Sequence, residues 1–419
     1  MYTSCSLAGL SASREKLLYA PTAMNIHLLG VGSVGALTAF HLRRSLLQAA
    51  TAPTTTAIGQ DKIILHFRSR LDKGKEVSLT VEPPGEDSKP ETLSGFAQAA
   101  VGEEQQEGPI DILFVALKAD QTLSALEKVR SRLRPESEIA GGGPSTIILL
   151  QNGVGQDEAL LHRFFPSSSP SSSSSSSYSG EGRIARPYIL LGSNTHGTWR
   201  RSAQHIVHAA KGTMHFGLSR AASAADAVSP SIERALLSLK PHTEPHEIPP
   251  GYETLQHAYM LLSSPTIRSA LHTTLEPSES FAVRALRKLV VNCALNPLSA
   301  LEGCRNGELL EREECLVKIR GIVGECAEVL AARAGEEAEG EEEGKLSFPS
   351  LLTHVHAVIR QTAPNWSSMV QDVRSGRGGT EIDFINGTIV RWGKEVGVST
   401  PVNEELVRAI REKVGGDNA

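Results

Sequence analysis

The chain has 419 residues, enough for two or three domains at roughly 100–200 residues each. Hydrophobic residues make up 40% and aromatic residues only 5%, so a packed, largely aliphatic core is expected and disorder throughout is excluded. With 42 basic against 47 acidic residues the net charge is −5, without the basic surplus of nucleic-acid binders, and no nucleic-acid partner is expected.

Cys5, Cys293, Cys304, Cys315 and Cys326 are too widely spaced for a disulfide framework or a zinc site, so reduced thiols and no metal are expected. No window approaches the roughly 20 apolar residues that cross a bilayer, so no membrane partner is expected. Residues 1–24 read as a disordered leader. A cytoplasmic location is expected, with a mitochondrial one as the alternative because Arg14 and Lys16 stand against the single acid Glu15.

The first element is Asn25-Ile-His-Leu-Leu-Gly30, an apolar run ending in glycine, followed by helical periodicity through Leu37, Phe40, His41 and Arg44. Gly30-Val31-Gly32-Ser33-Val34-Gly35 fits G-x-G-x-x-G at this strand-to-helix turn. Gly30 permits the tight turn, Gly32 lets the backbone approach a pyrophosphate, and Gly35 lets helix pack on strand, so a dinucleotide site is expected.

Lys62-Ile-Ile-Leu-His-Phe67 is the second strand, after a Thr/Ala/Pro tract near 49–60 that reads as an insertion. It ends in Phe67-Arg68-Ser69-Arg70 with no carboxylate before Asp72. Arginine in place of an acid there favours NADP(H) over NAD(H), with Arg68 the first candidate for the 2′-phosphate and Arg70 the second.

Short apolar runs at 110–117, 146–150, 188–191 and 213–216 complete an open α/β pattern over 25–265, interrupted by a serine-rich insertion near 166–182. Residues 266–419 show helical patterns at 280–296, 308–333, 350–360, 379–396 and 402–414, with an acidic, mobile loop near 334–345. Residues 243–275 suggest no role, and 241–275 reads as loop.

On the 280–296 helix, Lys288, Asn292 and Asn296 recur at i, i+4 and i+8 beside the apolar stripe of Leu286, Val290 and Cys293. A polar row along a buried face suits a substrate cleft, and an ammonium there can polarise a carbonyl and deliver a proton as hydride arrives. Glu381, beside the stripe of Ile382, Ile385 and Ile389, is the candidate carboxylate to hold that lysine.

These residues, with Leu117-Lys-Ala-Asp-Gln121, Gln151-Asn-Gly153, Lys288 to Pro297, Asn306-Gly-Glu308, Ser367-Ser-Met-Val-Gln-Asp372 and Thr380 to Gly387, resemble the ketopantoate reductases in order across about 25–415. The resemblance implies a Rossmann-type N-terminal domain followed by an all-α C-terminal domain like that of 6-phosphogluconate dehydrogenase. It implies NADPH-dependent reduction of 2-dehydropantoate to (R)-pantoate, on the route to pantothenate and coenzyme A.

By the same resemblance Lys288 is the general acid and Glu381 supports it. Lys118 and Gln121 contact the cofactor, and Asn152 lies between nicotinamide and substrate. Asn292, Asn296 and Ser368 bind the 2-oxo acid. A homodimer is admitted. The run between Asp372 and Thr380 is one residue longer than the family spacing, which bears on where Glu381 lies relative to Ser368. The competing readings are a reductase of another branched 2-oxo acid and a catalytically silent NADP-binding regulator.

The strand-end arginine generates a direct test. Arg68→Ala should weaken NADPH binding much more than NADH binding, because only NADPH carries the phosphate that a guanidinium pairs with. Equal weakening, measured by titration of each cofactor, would make Arg68 structural.

Overall fold

A computed structural model describes residues 23–51, 60–67, 76–85, 88–101, 108–137, 143–166, 184–221, 228–239, 248–334, 344–376 and 379–416. Most of the expected leader, insertions and acidic loop lies outside these residues, as do Arg68 and Arg70.

The chain opens with β1 (Asn25–Leu29), the glycine turn and α1 (Ser33–Ala50), followed by β2 (Lys62–Phe67), β3 (Val77–Glu82) and β4 (Glu91–Ala100). Two strand–helix units come next, β5 (Ile112–Val115) with α2 (Ala119–Glu127) and β6 (Thr146–Leu149) with α3 (Gln156–Phe164). Then come β7 (Tyr188–Asn194), β8 (Gly197–Ser202), β9 (His205–Ala210), β10 (Met214–Leu218), α4 (Pro230–Ser238), α5 (Glu253–Leu262), α6 (Pro265–Leu271) and β11 (Thr273–Leu275).

These strands form one sheet in the order β11-β10-β7-β6-β5-β1-β2-β4-β3-β9-β8. The six from β7 to β4 pair in parallel and form the Rossmann-type core. Every residue of β5 and β6 is buried, as expected where helices cover both faces. Alternation divides them: Ile112 and Phe114 join a core with α1, α5 and α6, whereas Leu113 and Val115 join another with α2 and α3. Because β1 lies between β2 and β5, the connections diverge beside it and leave a crevice at the carboxyl ends of these strands.

The structure extends the expected strand set. The strands β3, β4, β8 and β9 carry no long apolar run. They form a largely antiparallel wing whose outer strands β3, β8 and β9 contact α1. The stretch 241–275, expected as loop, is a correction: α5, α6 and β11 occupy most of it, and Leu255, Tyr259, Ile267 and Leu271 fill the sheet core. The boundary expected at 265/266 therefore falls inside the first core, and the sheet's contacts run on through β11, which pairs with β10.

Directly after β11, Glu276 donates its N–H to Phe216 O at 2.8 Å, and its carboxylate pairs with His215 and Arg284. The helical half then begins with α7 (Ser278–Glu302) and α8 (Glu313–Ala334) and continues through helices Phe348–Gln361, Ser368–Ser375, Asn386–Val396 and Pro401–Gly416. Their shared core includes Val290, Cys293, Ile319, Cys326, Val355, Ile389 and Ile410.

Pro297 lies inside α7 and has no N–H for Cys293 O, four residues back. Asn386 Nδ2 fills that gap, donating to Cys293 O at 3.0 Å and to Asn403 Oδ1 at 2.9 Å; Asn403 Nδ2 in turn donates to Glu325 at 2.7 Å.

Several histidines are buried in the sheet domain. His27 Nδ1 and His66 Nε2 lie 2.8 Å apart across β1 and β2. Burial, the largest cause, lowers His27 from 6.5 to about 2, His41 to about 3 and His66 to about 4. The folded protein therefore keeps these rings neutral below pH 6.5 while the unfolded chain takes up protons. Their contribution to stability is complete above pH 6.5 and is lost as pH falls towards those lowered values. Unfolding free energy should fall between pH 6.5 and 5 by up to about 1.4 kcal/mol per pH unit for each ring. A flat denaturant-unfolding profile over that range would contradict the burial of neutral rings.

Candidate active site

The glycine turn closes β1 at the edge of the crevice. Gly30 has φ 92°, and a Cβ there would lie 2.7 Å from the Ala116 carbonyl, so no other residue fits. A Cβ on Gly35 would overlap Gly30 O, whereas one on Gly32 would meet nothing within 4 Å. Gly32 is the N-cap of α1, and no side chain hydrogen-bonds the first-turn N–H groups at this cap. Tight packing at Gly30 and Gly35 with room at Gly32 fits a pyrophosphate.

The loops after β5 and β6 and the end of β7 supply the rest of the sheet domain's contribution. Lys118 is the N-cap of α2, and its Nζ crosses to the helical domain, reaching Asp372 Oδ1 at 2.8 Å and Gly379 O at 3.3 Å. Gln121, one turn along α2, is partly buried. Asn152 follows β6 beside Gly153, whose φ is 92° and whose missing side chain lets the loop lie against Phe384 O. That contact seats the Gln151-Asn152-Gly153 turn on the segment carrying Glu381.

Asn152 joins the two charged residues. Its Oδ1 accepts from Lys288 Nζ at 3.2 Å and its Nδ2 donates to Glu381 Oε2 at 3.2 Å, the one amide orientation that satisfies both neighbours. Lys288 Nζ also donates to Asn194 O at 2.9 Å, at the end of β7. Lys288 thus meets Glu381 through an amide relay.

The local structure around Glu381 differs from the helical stripe expected there. Glu381 precedes a short 3-10 turn, Ile382–Phe384, and the helix starts only at Asn386. Ile382, Ile385 and Ile389 are nevertheless buried, because the turn and the helix press on one core. The extra residue before Thr380 leaves Glu381 within reach of Asn152, and Gly379 O still meets Lys118.

Burial pushes the Lys288 ammonium down from 10.5 to about 8, while the nearby Glu381 charge pulls it up. Burial also raises the Glu381 carboxyl above the usual carboxylate range. The Asn152 hydrogen bond, Lys118 and the Ala119 N–H oppose that rise, and Asp372 adds to it. A cation shifted towards neutrality beside a buried acid is an arrangement suited to proton transfer.

Lys288 and Asn292 line a pocket with Asn152, Gly153, Ser193 and Phe281. Asn296, a turn further along α7, is 5% exposed. Ser368 is exposed at the first position of its helix, while Ser367 caps that helix through Val370 N–H and bonds Ser299 of α7 at 2.7 Å. Ser299 also bonds Asn296 O, so the paired serines bring Ser368 to the Asn296 end of the polar row. Arg68 lies outside the described residues.

Two participants were not singled out from the sequence. Asn194 contributes a backbone carbonyl, which leaves no side-chain signal. Asp372 stands within the quoted Ser367–Asp372 motif, and its partner Lys118 lies 254 residues earlier.

Two family models match the chain, "Ketopantoate reductase PanE/ApbA" over residues 26–221 and "Ketopantoate reductase PanE/ApbA C terminal" over 281–414. The 2-dehydropantoate 2-reductase of Vibrio cholerae serotype O1 is 28% identical over 397 residues, covering 93% of this chain and 97% of that one. That of Salmonella typhimurium is 30% identical over 303 residues, covering 72% and 74%. Among solved structures, the PanE/ApbA family ketopantoate reductase of Ralstonia eutropha JMP134 superposes with a TM-score of 0.62 at 18% identity, covering 94% of this chain and all of that one. A D-mandelate dehydrogenase solved with NADH and anilino(oxo)acetate superposes equally well, with a TM-score of 0.62 at 18% identity and coverage of 94% and 100%. The chain belongs to the ketopantoate reductase family.

Proposed function

We propose that the protein catalyses NADPH-dependent reduction of 2-dehydropantoate to (R)-pantoate, the acid half of pantothenate, with Lys288 as general acid. The observation that carries this reading is the Lys288–Asn152–Glu381 relay, which spans the two domains beside the cofactor crevice. When bound, reduced nicotinamide supplies the hydride for the keto carbon. Lys288 Nζ gives its proton to the carbonyl oxygen as that oxygen gains charge, yielding the 2-hydroxy acid.

Asn152 holds the ammonium in place, and Glu381 keeps more of it protonated than burial alone would allow. Asn292, Asn296 and Ser368 offer amide and hydroxyl donors to the substrate carboxylate and hydroxyl. The Gly30–Gly35 turn, Arg68, Lys118 and Gln121 hold the dinucleotide, with Lys118 exchanging or sharing its Asp372 partner. The NADPH preference rests on Phe67-Arg68 and the absence of a carboxylate before Asp72.

The same fold serves a D-mandelate dehydrogenase, so fold alone does not choose the 2-oxo acid. Comparing kcat/KM for 2-dehydropantoate and 2-oxoisovalerate tests the substrate, and a value no higher for the former would sink it.

Lys288→Ala should keep NADPH binding and lose at least ~10²-fold in kcat, the lower end for general acid catalysis. Equal rates would remove Lys288 from the chemistry.

Because the reacting form of Lys288 is protonated, kcat/KM should be level below and fall above about pH 8. Glu381→Gln removes the charge that raises Lys288, so the alkaline limb should move to lower pH. A limb that stays in place in this variant would show that Glu381 does not act on the lysine.

A further inference from the structure

The outer wing of the sheet brings an unassigned cation to the glycine turn. On β8, side chains alternate. Arg201 pairs with Glu82 at 3.0 Å and stacks over Trp199, while Arg200 points the other way and donates from Nη1 to Val31 O at 3.2 Å. Among the described residues no carboxylate pairs with Arg200, and the residue is exposed. A guanidinium has five N–H donors, so a single bond to the turn leaves the others available.

Position adds to chemistry. The turn residue that Arg200 grips lies between Gly30 and Gly32, the glycine with open space beside it, at the uncapped start of α1. The wing also reaches the turn from the β2 side of β1, whereas Lys118 and Asn152 approach from the β5 and β6 side. In a fold whose strand order reverses at β1, the β2 side receives the adenosine half of a dinucleotide.

We propose that Arg200 is a phosphate-binding residue of the cofactor site, held by Val31 O and offered to a phosphate of the adenosine half. The inference rests on the dinucleotide reading given above. Two phosphates share the required chemistry, the pyrophosphate common to both nicotinamide cofactors and the 2′-phosphate carried only by NADPH. Each takes charge-assisted hydrogen bonds from a guanidinium.

The test is direct binding of NADPH and NADH, by calorimetry, to the wild type, Arg200→Ala and Arg200→Lys, with Tm measured for each. Arg200→Ala should weaken NADPH by about tenfold or more, the scale of one charge-assisted hydrogen bond. A matching loss for NADH identifies the pyrophosphate, and an unchanged NADH affinity identifies the 2′-phosphate. Arg200→Lys should recover part of the lost affinity, because it keeps the charge while losing the planar fork. Wild-type affinity for both cofactors in Arg200→Ala would overturn the proposal. Equal losses in the Ala and Lys variants would also overturn it and leave Arg200 as a buttress of the turn. A wild type that binds neither cofactor would instead sink the dinucleotide reading itself.

Discussion

A missing hydrogen-bond donor organises the helical half of the molecule. Pro297 interrupts the ladder of α7, and a buried carbonyl left without a partner costs about 1–3 kcal/mol. Asn386 repairs the gap at Cys293 O and is itself held by Asn403 and through it Glu325. The repair fixes the start of helix Asn386–Val396 against α7, and Glu381 lies just before that start. The register between the lysine-bearing helix and the acid-bearing turn is therefore set by an amide in the core, away from the pocket.

Neither domain holds a complete site. The helical half carries an ammonium and a carboxylate, and the sheet half carries the amide that meets both. Asn152 suits this place because one planar group accepts from a cation and donates to an anion without adding charge. Lys118 and Asp372 form a second bond between the domains, partly exposed and so weaker in water than a buried pair. The two connections leave the sheet half just after the adjacent strands β5 and β6.

Much of this was legible in the sequence, and the failures have physical causes. Buried parallel strands such as β5 and β6 read clearly because both faces are apolar, and the glycine turn read clearly because its φ and close approaches admit nothing larger. Strands β8 and β9 did not, since Gly-Thr-Trp-Arg-Arg-Ser pairs through its backbone and leaves its side chains largely in solvent. The 241–275 stretch was misread because Pro and His residues at its start masked the apolar faces of α5 and α6. At the site, Lys288, Asn292 and Asn296 stood out by helical spacing, but Glu381 looked helical only because its buried isoleucines fit both a turn and a helix. The Asn152 relay had no local signature at all, since its partners lie 136 and 229 residues away.

The short strand β11 links the two halves in a further way. It is hydrogen-bonded into the sheet beside β10, and α7 leaves it after only Glu276 and Pro277, with Glu276 clamped to His215 and Arg284. Lys288 stands ten residues beyond the start of α7, about 15 Å at the helical rise, so the helix is a lever arm pivoted on the sheet. Each degree of tilt at that pivot carries the lysine about 0.3 Å, given the same rise per residue. The distances from Lys288 to Asn152 and Asn194 and the domain angle are thus geared together.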